Sequence, residues 1–509
     1  MASPFWFWRL PSRAVDGPLA LDQPVLVGRF RDALVAAGFE PERIGEALGA
    51  ESEVLSRSVD IPVQLRRLEG RGGLASLVRL FVLNVDVPLG AVSAAVAPLE
   101  AADLARLGVV QLRDAVARPL VRIVPHAEVL ITSDVRLYPG QSAPQDHVPG
   151  VHRPSVTLAY LTVRSPARNF LDLATGCGIE AILAAPQAKR VLATDVSARA
   201  LNYATFNAQL NGVRNIEFRL GSWFTPLGDE RFEVIACNPP YVISPSTDFL
   251  FRDSGLPGDS VSELVVRGIP AHLEEGGFAT IAISWVVDPD AADDGAPVRR
   301  WVEGSGCDAW LLHYRTDEPL ATAAGWNQTE AGDPVRHAAL IDSWMAYYRE
   351  QGIRAIAYGS LVLRRRSSAT NWFRVDRLPP VQMRPASDHI LRIFAAHDFL
   401  TGIDDEGLLE ARVATVPTLR LEQRVKFADG APQIEAMNVT VDEGVGFQAV
   451  IEPRAVLLLS RLDGRRTLRD ALFGAAEAER TPAEANERYM AAGLKVVRRM
   501  LELGMLARA

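Results

Sequence analysis

Cysteine is scarce in this chain: its three residues, Cys177, Cys237 and Cys307, lie far apart and show no metal-ligand spacing. That usage excludes a disulfide framework and fits a reducing compartment. Long apolar runs are missing too, since no stretch approaches the roughly 20 residues a membrane-spanning helix needs. The opening Phe5-Trp6-Phe7-Trp8 is broken by Arg9, Pro11 and Arg13 before it reaches the length of a signal-peptide core. Nor is there a basic excess. With 54 Lys+Arg against 62 Asp+Glu the net charge is −8, which weighs against a dedicated nucleic-acid binder, whose affinity rests largely on neutralising phosphates. His126, His147, His152 and His313 have no spacing that suggests a metal. The expectation is a cytoplasmic protein with no membrane segment and no metal.

A chain of 509 residues is too long for one ordinary core. Its texture changes twice. Residues 1–135 read as an N-terminal, mostly helical, winged-helix-like domain. Apolar residues recur every three or four positions over Val25–Ala37, Leu74–Leu83 and Ala101–Leu107, before the short apolar stretches Leu120–Val124 and Ala127–Thr132. Residues 136–382 open with a Pro/Gly-rich segment, Tyr138–His152, that is either a linker or an ordered loop. Strand and helix patterns then alternate, which predicts a parallel sheet covered on both faces. The predicted strands are Asn169–Leu173, Arg190–Asp195, Ile216–Leu220, Phe232–Cys237, Gly277–Val287, Ala309–Arg315 and Ile353–Arg365. The last two are expected to form an antiparallel pair. Residues 383–509 read as a small α+β, winged-helix-like domain, with strands Thr418–Phe427 and Ala431–Val441 and helices Pro453–Leu462, Thr467–Phe473 and Pro482–Leu506.

Two loops carry chemistry. Asp172-Leu-Ala-Thr-Gly-Cys-Gly178 joins a strand to a helix, where glycines let the backbone turn sharply against a ligand. Asp195 closes the next strand, and its carboxylate can accept ribose hydroxyls. Gly176-x-Gly178-x-x-Ala181 also satisfies the dinucleotide fingerprint. Asp172 in the approach disfavours a pyrophosphate, but suits an ammonium or sulfonium group. Asn238-Pro-Pro-Tyr241 leaves the fourth strand at the same edge. Two prolines stiffen any strand exit; here the Asn side-chain oxygen and the Pro239 carbonyl supply two acceptors for one N–H-bearing nitrogen, with Pro240 stiffening the turn and Tyr241 able to stack on a planar group.

These residues resemble the HemK/PrmC-type class I methyltransferases, which methylate the glutamine of peptide release factors. The likeness rests on Asp172–Gly178, on Asp195-Val-Ser-Ala-Arg-Ala-Leu-Asn-Tyr-Ala-x-x-Asn207 and on Gly221–Val242, within Phe170–Trp285. It implies an α/β fold with a seven-stranded, Rossmann-like methyltransferase sheet and S-adenosylmethionine as cofactor. Asp172, Ala174, Thr175, Gly176 and Gly178 would line its methionine end, and Asp195 and Val196 its ribose. Ser222 (where that family usually has an acidic residue) and Trp223 would face its adenine, with Asn238 beside the methyl group. Asn238, Pro239, Pro240 and Tyr241 would form the catalytic loop.

The substrate stays open at this point. A protein glutamine is slightly preferred over RNA, given the acidic balance; ribosomal RNA or DNA bases and a small molecule of a specialised pathway are alternatives. So is a binding protein with a degenerate methyltransferase domain, although Asp172, Asp195 and Asn238 are all retained. The family's proline-rich cofactor clamp is not recognisable, and Arg153-Pro-Ser-Val-Thr157 is its nearest stand-in. Leu462-Asp-Gly-Arg-Arg-Thr-Leu-Arg-Asp470 faintly resembles PqqD-like winged-helix modules. The run Arg364-Arg365-Arg366 reads as a solvated sheet edge rather than a phosphate contact.

Overall fold

A computed structural model describes residues 17–49, 60–137, 143–328, 331–368, 370–378, 383–428, 430–480 and 486–509. The opening aromatic run therefore lies outside the described residues, as does the start of the expected helix Pro482–Leu506. The chain divides into two compact units. Residues Met1–Ala159 and Arg164–Arg377 form one; Tyr160–Val163 and Leu378–Ala509 form the other. The sequence suggests a boundary near residue 135, but one hydrophobic core runs from Leu19 and Phe30 through Phe81 and Ile123 to Tyr203, Phe206 and Val234.

The first unit is built on a mixed sheet of strands β1 (Ala167–Leu173), β2 (Ala188–Asp195), β3 (Ile216–Leu220), β4 (Phe232–Cys237), β5 (Leu273–Val287), β6 (Cys307–Asp317), β7 (Ala355–Arg365) and β8 (Phe373–Arg377). Their order is β8-β6-β7-β5-β4-β1-β2-β3. Strands β1 to β5 pair in parallel, whereas β7 runs antiparallel to both β5 and β6. The expected antiparallel pair is present. The expected seven strands become eight, because Phe373–Arg377 adds a parallel strand beyond β6. Its weak alternation and its place just past the Arg364–Arg366 run hid it. That run is no solvated edge either: β7 is interior, and Arg364 donates to the buried Asp308 carboxylate at 2.6 Å. Strands flanked on both sides carry near-continuous apolar runs because both faces are buried; in β7, Ala355 to Leu363 are all buried.

Register fixes where loops emerge. Leu173 pairs with Cys237 on one side and with Thr194 on the other. The chain therefore leaves β1 at Ala174, β2 at Asp195 and β4 at Asn238 on one level of the carboxyl edge. Helix α1 (Ile179–Ala184) follows β1, and helix α2 (Ala198–Leu210) follows β2, capped by the Ser197 hydroxyl on Ala200 N–H.

The N-terminal stretch contributes helices Pro24–Ala36, Pro41–Leu48, Ile61–Arg67, Gly72–Leu77, Leu89–Ala95 and Ala101–Arg106, with a π-helical turn at Val78–Val82. A three-stranded sheet and the hairpin Val121–His126/Val129–Asp134 complete it. Asparagines on α2 and at its C-terminal end hold it to the methyltransferase-like part of the unit. Asn202 exchanges hydrogen bonds with the Leu19 backbone, Asn211 with Leu130, and Asn207 with Thr132 while also donating to Cys177 O at 2.9 Å. The Asn207 and Asn211 carboxamides replace the strand partner the hairpin edge lacks. Asn207→Ala strands three buried backbone groups, and unsatisfied groups cost about 1–3 kcal/mol each. Thermal unfolding should therefore show a loss of at least about 2 kcal/mol; an unchanged melting curve would contradict this role.

The second unit holds helices Ser387–Thr401, Asp405–Glu410, Pro453–Leu459, Leu468–Ala478 and Asn486–Glu502, a three-stranded sheet of Leu419–Ala428, Ala431–Val441 and Gln448–Val450, and a two-stranded pair of Val413–Thr415 with Leu506–Arg508. Among the described residues no helix is long and apolar enough to cross a membrane.

Candidate functional site

The three loop exits line one cavity of about 320 Å³ at the carboxyl edge of the sheet. The turn after β1 is held open by backbone geometry. Ala174, Gly176 and Gly178 take positive φ of 61°, 53° and 84°. A Cβ on Gly178 would lie 2.9 Å from the Ala204 Cβ, so only glycine lets α1 and α2 approach this closely; a Cβ on Gly176 would meet nothing. Ala174 in the left-handed region, like Trp223 at 47°, is strained for a residue with a side chain. Both line the cavity, and such strain clusters at binding sites.

Buried carboxylates anchor the turn. Asp172 is 2% exposed. One of its oxygens accepts the Thr175 hydroxyl at 2.5 Å and the Ala181 N–H at 3.0 Å. Burial pushes its carboxyl up to about 6, against these hydrogen bonds. Asp195 accepts Gly176 N–H and Ser197 N–H, each at 2.9 Å, and burial raises it as well. Burial of two carboxyl groups beside one cavity leaves them able to accept a cation or a hydroxyl donor. Burial also pushes the Cys177 thiol up to about 12 and the Cys237 thiol well above its ordinary value, which leaves both inert.

Of the expected cofactor residues, Asp172, Ala174, Thr175, Gly176, Asp195, Val196, Ser222, Trp223 and Asn238 all line the cavity, with Val196 exposed at its rim. Gly178 sits behind it, at the α1–α2 contact. The catalytic loop divides. Asn238 and Pro240 face the cavity, and the Asn238 carboxamide has no hydrogen-bond partner among the described residues. Pro239 is buried; its carbonyl accepts the Tyr241 N–H at 2.7 Å, which leaves one lone pair. Tyr241 is not among the cavity residues. Its ring packs against the cluster of Val242, Ile243, Trp344, Tyr348 and Tyr358, and its carbonyl accepts the Ser284 hydroxyl. The ring thus braces the loop from behind, where the sequence suggested a stacking surface.

Two walls were only partly legible in the sequence. The first is the described part of the Pro/Gly-rich segment, where His147 to Gly150 and His152 line the cavity, joined by Ser155 of the Arg153–Thr157 stretch. Asp134 ties it down. The Asp134 carboxylate accepts Val148 N–H at 2.8 Å, Tyr203 OH at 2.7 Å and the Arg199 guanidinium at 2.9 Å. Burial opposes its ionisation, but these partners outweigh it and hold its carboxyl below the ordinary range. The second wall is the loop after Asn238–Tyr241, where Leu250, Phe251, Asp253 and Ser254 face the cavity. Leu250 N–H donates to Gln145 O at 3.0 Å, and Gln145 Nε2 donates to Thr247 O at 2.9 Å, so the two walls meet. The available signals were the run of prolines, glycines and histidines ahead of the helix Arg153–Leu161 and the start of that helix itself, Arg153–Thr157.

An eight-stranded sheet with this order, a glycine turn after β1, an acidic residue ending β2 and Asn-Pro-Pro-Tyr after β4 define a class I methyltransferase domain. A family profile described as a methyltransferase small domain matches residues 155–254, and one for a domain of unknown function, DUF7059, matches residues 36–120. The release factor glutamine methyltransferase of Xylella fastidiosa is 36% identical over 152 residues, covering 27% of this chain and 52% of that protein. Its counterpart from Cereibacter sphaeroides is 34% identical over 155 residues, covering 28% and 53%. The ribosomal protein uL3 glutamine methyltransferase of Bradyrhizobium diazoefficiens is 38% identical over 121 residues, covering 21% and 38%. The chain spans about half the length of the curated relatives it matches, or less. Its central domain is a methyltransferase domain of the HemK type.

Proposed function

We propose that this protein transfers a methyl group from S-adenosylmethionine to the side-chain amide nitrogen of a glutamine in a protein substrate. The observation that carries this reading is the unpartnered Asn238 carboxamide, facing the same cavity as the Asp172–Gly178 turn and Asp195. The residues fit the cofactor: buried Asp172 suits its ammonium, Asp195 its ribose hydroxyls, and the open side of Gly176 leaves room for its methionine end. When bound, S-adenosylmethionine supplies an electrophilic methyl group. The chain's part is to place the acceptor. An amide nitrogen is a weak nucleophile because its lone pair is delocalised. The Asn238 side-chain oxygen and the remaining lone pair of the Pro239 carbonyl accept its two N–H groups and turn the lone pair toward the methyl. The proton leaves after transfer, so no strong base is needed. The named activities of the glutamine methyltransferases above support a protein acceptor over a nucleobase or a small molecule. Residues 1–135 and 383–509 are proposed as winged-helix-like domains that select the substrate.

The test is transfer of radiolabelled methyl into a lysate from cells lacking this protein, split between protease and nuclease. Label released by protease alone is the expected result. Label released by nuclease would overturn the protein-substrate reading.

A further inference from the structure

Helix α1 begins with a second buried carboxylate that the proposed mechanism leaves unused. Glu180 lines the cavity and is 3% exposed. One of its oxygens accepts from Arg164 Nη2 at 2.8 Å; the other, Oε1, is buried with no hydrogen-bond partner. A solvent-excluded carboxylate oxygen without a donor is costly unless a ligand supplies one. Its charged neighbours are Arg164 ahead of β1 and Asp172 on β1, with the Cys177 thiol in the turn between. Two buried carboxyl groups thus meet at this end of the cavity, with one guanidinium behind them, and an arriving cation would favour the ionised form of the second.

We infer that Glu180 is a second anchor for the α-ammonium group of the cofactor, its Oε1 accepting an N–H that Asp172 alone cannot take. The assignment rests on the reading that S-adenosylmethionine occupies this cavity. An ammonium carries three donors. Asp172 already spends one oxygen on Thr175 and Ala181, so a second carboxylate is needed to satisfy the group in a dry site. Arg164 holds Glu180 in place and keeps the pair from repelling itself apart.

The experiment is calorimetric titration of the full chain and of Glu180→Gln with three probes: S-adenosylmethionine, S-adenosylhomocysteine and 5′-methylthioadenosine. The first two carry the ammonium; the third lacks the whole amino-acid arm. Glu180→Gln should weaken both ammonium-bearing probes by at least about tenfold, the scale of one charge-assisted hydrogen bond, and leave 5′-methylthioadenosine within about twofold. The third probe also reports an intact fold. Equal affinities of the two proteins for all three probes would overturn the inference. So would a loss confined to S-adenosylmethionine, which would place the sulfonium at Glu180 instead. Failure of the wild-type chain to bind any probe would instead overturn the cofactor reading on which this rests.

A second readout needs no variant. Burial pushes Glu180 up to about 8, so at pH 7 it is largely protonated before a cation arrives. A cation lowers its pKa, and binding should release protons at pH 7 but not at pH 9, measured in buffers of different ionisation enthalpy. Binding without proton release at pH 7 would contradict the assignment.

Discussion

Replacing Asn238 with alanine is expected to lower the rate of methyl transfer by on the order of 10²–10³-fold, the scale seen when one preorganised polar contact to a reacting group is removed. S-adenosylmethionine affinity should change little. The reasoning is geometric. Asn238 contributes to the cavity wall at the end of β4, but the turn that cradles the proposed cofactor is held by Asp172, Thr175 and Asp195. Removing the carboxamide therefore takes away an acceptor for the substrate amide and leaves the glycine turn intact. Asn238→Asp makes the argument sharper. It keeps the side-chain shape and the acceptor oxygen but replaces the NH2 group with a charged oxygen beside an electrophilic methyl and an incoming amide, so it should retain binding and lose most of the turnover. Steady-state kinetics separate the two effects, because loss of a contact made in the transition state lowers kcat and kcat/KM together. A variant with unchanged kcat would remove Asn238 from the mechanism.

The second large effect is on stability. Asp253→Ala should destabilise the first unit by about 3–5 kcal/mol, the range for a buried ion pair that loses one partner. The Asp253 side chain is fully buried and that of Arg252 is 7% exposed. Arg252 grips both carboxylate oxygens, at 2.8 and 2.9 Å. The same carboxylate accepts the Ser244 hydroxyl at 2.7 Å and the Phe249 N–H at 3.1 Å. One side chain thus organises the whole loop from Ser244 to Asp253. Without it Arg252 keeps a buried positive charge, offset among the described residues by the Trp326 carbonyl at 3.3 Å and by the Phe249 and Trp344 rings at 5.0 and 5.5 Å. The double change Arg252→Met with Asp253→Ala removes both charges and should recover part of the loss. Urea unfolding followed by tryptophan fluorescence measures this; a single variant within 1 kcal/mol of wild type, on the scale of an exposed pair, would show that the pair does not hold the loop.

The residues that sequence reasoning found share one property: their partners are local or fixed by the strand period. Asp172, Gly176 and Gly178 fall within seven positions, and Asp195 and Asn238 are placed by the ends of predicted strands. Parallel register does the rest, because Leu173 must sit level with both Thr194 and Cys237. What escaped depends on contacts that no spacing announces. Asp134 meets Arg199 and Tyr203 across more than sixty positions to fasten the 147–150 wall, and nothing in either stretch marks the other. Tyr241 illustrates a different failure. Its place in the motif suggested a stacking surface, but the buried cluster around Trp344 and Tyr348, built from a later helix, draws the ring away from the cavity. Glu180 carries no signal in the sequence, because a single acidic residue early in a helix ordinarily reads as a favourable dipole contact. Only its burial sets it apart.

The measurement closest to the central claim is tandem mass spectrometry of the acceptor isolated after reaction with wild-type protein, with Asn238→Ala as control. A single added methyl on a glutamine side-chain nitrogen, absent with the variant, is the predicted result. A methyl on a nucleobase, or on the same glutamine at equal yield with the variant, would contradict it.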